Sequence, residues 1–230
     1  MSIALIGSGV NAGSADTNTV TTGTYDTTGA TLMVVFVGDW AAATLGTVSD
    51  SQSNTWTPLT TRESATPRGK LYYVANPSTN ASHTVTYTVT AGYPYIGVLA
   101  FSGTDTSSPF DQESGSTTDS GITLQPGSIT PAADNYVLVI GILNNASGTD
   151  VFSIDSSFTK QLHLDNAPGA HFPGATGYQI QTTATARNPT WDWTAAGNTY
   201  AATAMASFKV AAGGGAATLR QWRMGRLGVQ

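Results

Sequence analysis

The chain contains no cysteine, which excludes a disulfide framework, a thiolate zinc site and a thiol nucleophile together. Charge is scarce: Asp, Glu, Lys and Arg make up 10% of the 230 residues, against about a quarter in an ordinary domain. Glutamate is almost missing, with only Glu63 and Glu113 present. A glycosidase needs two carboxyl groups facing each other across a cleft, and both of these fall in polar loop sequence. Long apolar runs are missing too. The longest, around Leu32–Val37, is far short of the roughly 20 residues a membrane helix requires. The opening Met1-Ser-Ile-Ala-Leu-Ile-Gly7 lacks the basic start and apolar length of a signal peptide. These features predict a soluble chain made in the cytoplasm. No Gly-x-Ser-x-Gly elbow, phosphate loop or dinucleotide fingerprint follows any strand. The reading is therefore non-enzymatic, with no cofactor and no metal implied.

Ser, Thr, Asn and Gly supply the polar surface instead. The net charge of −5 is unevenly placed. Residues 1–210 hold six Lys/Arg against 14 Asp/Glu, whereas residues 211–230 hold Arg220, Arg223 and Arg226 and no acid. An acidic body argues against nucleic acid, whose binders neutralise phosphates. A weakly charged, hydroxyl-rich surface can pack against its own copies without strong repulsion, which predicts a homo-oligomer.

A similar plan runs through the chain twice. The first pass holds the apolar strand Thr31–Val37, Ser49-Asp50-Ser51 leading to Trp56, the strand Lys70–Val74, the strand His83–Val89 and the strand Tyr95–Ser102. The second holds Asn135–Ile142, Phe152–Thr159, Thr176–Ile180, Pro189–Thr194 and Tyr200–Phe208. Asp50 to Asp155 is an offset of 105 and Phe101 to Phe208 of 107, while Trp56 to Phe158 is 102. The second loop is thus three residues shorter. Such periodicity has to be settled before anything else. It predicts an all-β, two-sheet antiparallel, jelly-roll-like sandwich built from two related five-strand halves, about 30–103 and 135–210, in one domain over 1–210. At this length folding buries about 70% of the unfolded surface, so no staples are needed.

Along the chain, Ser2–Gly7 reads as a short strand and Gly9–Thr24 as a loop or an irregular extended arm. Thr31–Val37 is apolar on both faces, as a covered central strand is. Val48–Thr57 reads as a hairpin turning on Asp50 and Asn54, with a cation loop as the lesser alternative. In His83–Thr90, Val85, Tyr87 and Val89 alternate with threonines, one face buried and one solvated. Gly103–Gly121 reads as a polar linker between the copies.

Three groups are candidates for function. His163, Asp165 and His171 are metal-ligand types, but their spacing matches no tight signature. Trp191 and Trp193 lie on one strand face and, with Tyr178, could stack sugar rings, although paired aromatics on a sandwich strand more often form core. The third is the end of the chain. A flexible linker, Ala211-Ala-Gly-Gly-Gly-Ala-Ala217, leads to Leu219, Arg220, Trp222, Arg223, Met224, Arg226 and Leu227. Arg and Trp dominate binding hot spots, so this segment is predicted to dock onto a partner, the acidic body of a sibling copy being the simplest. Three arginines would hold a membrane or nucleic acid only weakly.

The order of the apolar strand, Ser-Asp-Ser-Gln-Ser-Asn-Thr-Trp-Thr (49–57), Leu-Tyr-Tyr-Val-Ala-Asn (71–76), His-Thr-Val-Thr (83–86) and Ala-Phe-Ser-Gly (100–103) resembles a β-sandwich module of tailed-bacteriophage virion proteins and bacterial surface proteins. The resemblance covers about residues 30–210 and rests on turn and core residues. It implies a structural virion protein, made in the host cytoplasm, that decorates or cements a capsid. Its partners would be copies of itself and other virion proteins of capsid or tail. A receptor- or glycan-binding head or tail fibre domain is the alternative it implies. The resemblance supplies no catalytic residues, and the basic tail lies outside it.

Overall fold

The computed structural model describes residues 2–15, 17–40, 44–63, 66–90, 92–145, 151–155, 157–165, 172–194 and 199–212. Among them there is no helix. The first half runs β1 Ala4–Ala12, β2 Thr19–Thr21, β3 Leu32–Asp39, β4 Thr47–Asp50, β5 Thr57–Pro58, β6 Arg62–Glu63, β7 Arg68–Ala75, β8 Val85–Thr88 and β9 Tyr95–Ser102. The second runs β10 Phe110–Thr118, β11 Thr123–Leu124, β12 Tyr136–Asn144, β13 Phe152–Ile154, β14 Thr159–Leu164, β15 Gly174–Gln181, β16 Trp191–Trp193 and β17 Ala201–Phe208.

Each half pairs its strands by the same rule. The wide sheet of the first half has the order β1-β9-β3-β7-β5, with β6 also on β7, and its narrow sheet is β2-β8-β4. In the second half the orders are β10-β17-β12-β15-β14 and β11-β16-β13. First, last, third and penultimate long strands side by side, with the intervening strands in the other sheet, is jelly-roll connectivity. In both halves the strand before the penultimate long one pairs with the wide sheet. The copies agree in register as well. Leu32 and Phe101 pair as Val137 and Phe208 do. The register slips by one residue between Leu5 and Gly7, and again between Phe110 and Gln112.

The expected all-β antiparallel sandwich is present, but with four sheets rather than two. The reason lies in the strands that read as apolar on both faces. Every residue of β3, β12 and β17 is buried, which requires a layer on each side. Met33, Val35 and Val37 meet Val85 and Tyr87 of the narrow sheet and Val89 just past it. Leu32, Val34 and Phe36 face the other way, onto Val139, Ala206 and Phe208. On the far side, Leu138, Ile140 and Met205 meet Phe152, Trp191 and Trp193. The layers run narrow, wide, wide, narrow, and the halves are joined face to face through their wide sheets.

Boundaries also differ from expectation. The paired units are Ala4–Ser102 and Phe110–Phe208, because β1 and β10 join the wide sheets at their edges. Gly9–Thr24 contains the end of β1 and all of β2, and Gly103–Gly121 contains β10. These edge strands are only partly buried and so carry a weak apolar signal. Val48–Thr57 is not a hairpin: β4 pairs with β8 in the narrow sheet and β5 with β7 in the wide one. The turn between them carries the chain from sheet to sheet.

At the centre of the joint the twin positions Phe36 and Gly141 meet. They occupy the same register site, pairing respectively with Leu71 and Thr176. A Cβ on Gly141 would stand 2.1 Å from Cγ of Phe36, so the ring needs the missing side chain. At the rim Glu113 accepts from the amide and hydroxyl of Thr60 at 3.0 and 2.6 Å and pairs with Arg62 at 3.5 Å. Past β17, Val210 bridges to Thr104 and the Ala211 amide donates to the Gly103 carbonyl at 2.9 Å. The chain leaves the body beside the link between its halves.

Candidate functional site

A polar cluster gathers around Asp50 and His83 inside the first half. Asp50 ends β4, and its Oδ1 accepts from the amides of Gln52 at 2.7 Å and Asn54 at 3.3 Å. That is the work of a turn-former. Its Oδ2 accepts from the Trp56 indole at 2.7 Å. His83 stands 3.4 Å from Asp50 through Nε2, and its Nδ1 is 2.9 Å from the Thr27 hydroxyl. Tyr25 stacks on the His83 ring at 6.0 Å. Burial, and next the charge of Asp50, push the Tyr25 phenol far above its usual range.

A carboxylate, an imidazole and a hydroxyl in a row suggest a hydrolase relay. The surroundings say otherwise. Thr27 and His83 are both 0% exposed, and the Thr27 hydroxyl is engaged with the Asn80 carbonyl at 3.1 Å and the Asn80 amide at 3.0 Å. A nucleophile must reach a substrate, and this one is sealed. The cluster fastens the loops of Tyr25, Asp50 and Asn80 to one another. The tract 49–56 and the lone His83 were its only signals in the sequence, and nothing in their spacing shows that they meet. A second buried pair lies nearby. Tyr87 donates to Asp39 at 2.7 Å, and burial, then the Asp39 charge, raise its phenol well above the usual range.

The residues singled out from sequence are distributed differently. Trp191 is 0% and Trp193 3% exposed, packed with Phe152 between wide and narrow sheets. Burial removes both as a stacking shelf. The Trp193 indole donates to Thr199 at 2.6 Å, while the Trp191 indole nitrogen has no partner among the described residues. Tyr178 packs edge-on against Phe101 at 5.5 Å, on the face where the halves join. It shares no face with the two tryptophans. His163 meets Asp165 at 3.2 Å and sits edge-on to Phe152 at 5.8 Å. His171 lies outside the described residues, among which no group of three metal-ligand side chains gathers. Glu63 pairs with Arg68 beside it, while Glu113 ties the two halves together through Arg62 and Thr60. Leu219, Arg220, Trp222, Arg223, Met224, Arg226 and Leu227 all lie outside the described residues.

What sequence reasoning missed is a ring cluster at one end of the body. Gly38 pairs with Tyr95, Leu143 with Gly174 and Asn144 with Ala201, so Trp40, Tyr93, Phe172 and Tyr200 leave their strands at the same tip. Trp40 lies 5.4 Å from Phe172 and 5.9 Å from Tyr200, and Tyr93 lies 4.4 Å from Phe172. Two rings come from each half, and Tyr200 is 39% exposed. Trp40 is half-buried. The four positions are more than 100 residues apart at the extremes, which no local pattern shows.

No protein-family model matches the chain, and no match is found among curated proteins or solved structures.

Proposed function

We propose that the protein is a non-enzymatic structural component of a tailed-phage virion, a decoration or cement protein that stabilises the capsid shell through subunit contacts. The observation that supports this reading is the build of the body, two jelly rolls joined face to face through their wide sheets. Jelly rolls recur in capsid proteins and lectins; the support is therefore architectural and does not come from a reactive site. Such a block works by burying interface between neighbours, without covalent chemistry. The test is rebinding of purified protein to particles that lack it, with the full chain and with a chain ending at Val210. Saturable rebinding with increased resistance of the shell to heat supports the proposal, and failure of the full chain to bind any such particle defeats it. Rebinding that ignores the truncation removes only the docking role of Leu219–Leu227.

A receptor- or glycan-binding fibre domain is the second reading. It is favoured by the Trp40, Tyr93, Phe172 and Tyr200 cluster, because aromatic rings near a surface suit stacking on sugars. Glycan-array binding that disappears in Tyr200→Ala would turn the assignment toward it.

A further inference from the structure

Among the described residues, four large apolar side chains are strongly exposed: Ile122, Val151, Ile180 and Tyr200. Three of them stand at one end of the second half. The Tyr200 amide donates to the Asn145 side chain at 2.8 Å, and its carbonyl accepts from the Asn145 amide at 3.1 Å. Thr199 beside it accepts from the Trp193 indole at 2.6 Å and donates to the Gly121 carbonyl at 3.0 Å. That brings Ile122 to the same tip, where its carbonyl accepts from the Trp193 amide at 3.0 Å. Val151 arrives from the other side, its amide donating to the Thr194 hydroxyl at 3.2 Å. Together with Trp40, Tyr93 and Phe172 they make this tip apolar. Scattered apolar surface residues mean little, whereas their gathering in one place marks a contact surface.

The same tip is acidic. Thr118 pairs with Ala201 and Leu164 with Gly174, so Asp119 and Asp165, the next residues along, lie at this end. Asp192 is next to Trp193 on β16, and all three aspartates are exposed. Lys160 is held by the Phe152 carbonyl and Arg68, on the first half's side, by Glu63. His163 is paired with Asp165.

The described chain ends at Ala212, at the opposite tip, and 18 residues follow it. In them Leu219, Trp222, Met224 and Leu227 are interleaved with Arg220, Arg223 and Arg226, without an acid. That is the complement of an apolar, acidic surface, and arginine also stacks on aromatic faces. Length decides whose tip it meets. Leu219 lies seven residues beyond Ala212, a reach of at most about 25 Å when fully extended and nearer to about 15 Å for a Gly-rich linker. Eight-residue strands such as β3 alone set the tips of one chain about 26 Å apart. A chain cannot seat the whole of Leu219–Leu227 on its own far tip.

We propose that Leu219–Leu227 of one copy docks on the Trp40, Tyr200 and Ile122 tip of another, so that copies join head to tail. The apolar side chains cover the exposed rings and Ile122, and the arginines face the aspartates around them. Such a contact is heterologous: each new copy adds another tip and another tail, and growth continues unless a ring closes. The inference rests on the assembly reading for the setting in which copies meet, but self-association is measured without any particle, so the two fail separately.

The test is sedimentation of the full chain over a range of concentrations. Mean mass should rise past that of a dimer, and less so at high salt. Tyr200→Ala combined with Ile122→Ser, and separately Trp222→Ala, should each weaken association about tenfold or more, with melting temperatures unchanged. The deciding sample mixes these two chains. One keeps its tail and the other its tip, so the mixture should form dimers and nothing larger at concentrations where each alone is monomeric. A full chain that stays monomeric at about millimolar concentration, association untouched by the tip variants, or a mixture that remains monomeric overturns the proposal. A monomer whose melting temperature falls in Trp222→Ala overturns it in favour of a tail lying on its own body. A monomer that needs Trp222 to rebind particles overturns it in favour of another virion protein and leaves the capsid proposal standing. Head-to-tail association in a chain that binds no particle upholds the contact and defeats the capsid proposal.

Discussion

In the first half Trp56 gives its indole proton to a carboxylate, and around that bond gather a histidine, a threonine and an asparagine. In the second half the matching position is Phe158, after a turn three residues shorter, and Trp191, which lies deeper, finds no acceptor among the described residues. The two halves nevertheless keep the same strand order, register and bulge. Pairing and apolar alternation therefore hold the architecture, and the polar interior is free to change behind them. The joint tells the same story, since twin positions carry a phenyl ring on one side and a bare glycine on the other.

The largest effect is expected where those twins meet. Phe36→Ala should lose about 3–5 kcal/mol in denaturant unfolding, as buried Phe truncations do. Gly141→Leu should be at least as damaging, because the new side chain has no space beside the ring. Phe36→Ala combined with Gly141→Leu should recover part of that loss, with a coupling of about 1–3 kcal/mol in the double-mutant cycle. Strict additivity would mean that the two positions do not share one packing site.

Alkaline unfolding comes next and should be dominated by the first half. Tyr25, Tyr87 and Tyr95 are all held protonated mainly by burial. Their folded pKa values lie above the unfolded one, so the stability they contribute is complete below about pH 10 and declines above it. The slope should approach about 1.4 kcal/mol per pH unit for each phenol. Tyr87→Phe should flatten the fall, as measured by urea midpoints across that range, and an unchanged slope would contradict the buried assignment.

A finer comparison removes the same atoms from each half. Trp56→Phe strips Asp50 of its 2.7 Å donor, whereas Trp191→Phe removes an N–H that has no partner among the described residues. The first should be worse by about 1.5–3 kcal/mol, the usual range for hydrogen bonds to a charged group. Equal losses would mean that the Asp50 bond contributes nothing net. The smallest effect is at the rim. Glu113→Gln should cost about 1 kcal/mol or less, since Arg62 and Glu113 remain partly solvated.

The class of fold was legible from sequence because alternation in Val85–Val89 and the doubly apolar Leu32–Val37 are strong local signals. The latter also held the clue to the layering, since a strand covered on both faces does not fit a two-sheet body. Edge strand β10 and the second half of β1, beyond the Ser2–Gly7 strand, were not legible, because half-exposed Ser, Thr and Gly read the same in strand and loop. The Asp50–His83 contact and the tip cluster were equally hidden. One joins positions 33 residues apart and the other positions up to 160 apart, and neither separation leaves a local pattern. Trp191 and Trp193 lay on one face as expected, and only the presence of a covering sheet decided whether that face met solvent.

The bridge between Thr104 and Val210, with the Ala211 amide on Gly103, lies at the tip opposite the Trp40 and Tyr200 rings. Eight-residue strands such as β3 separate the two tips by about 26 Å. Any cargo or anchor fused beyond Ala211 would therefore hang from one pole and hold the aromatic pole outward, so the molecule has a built-in root and crown.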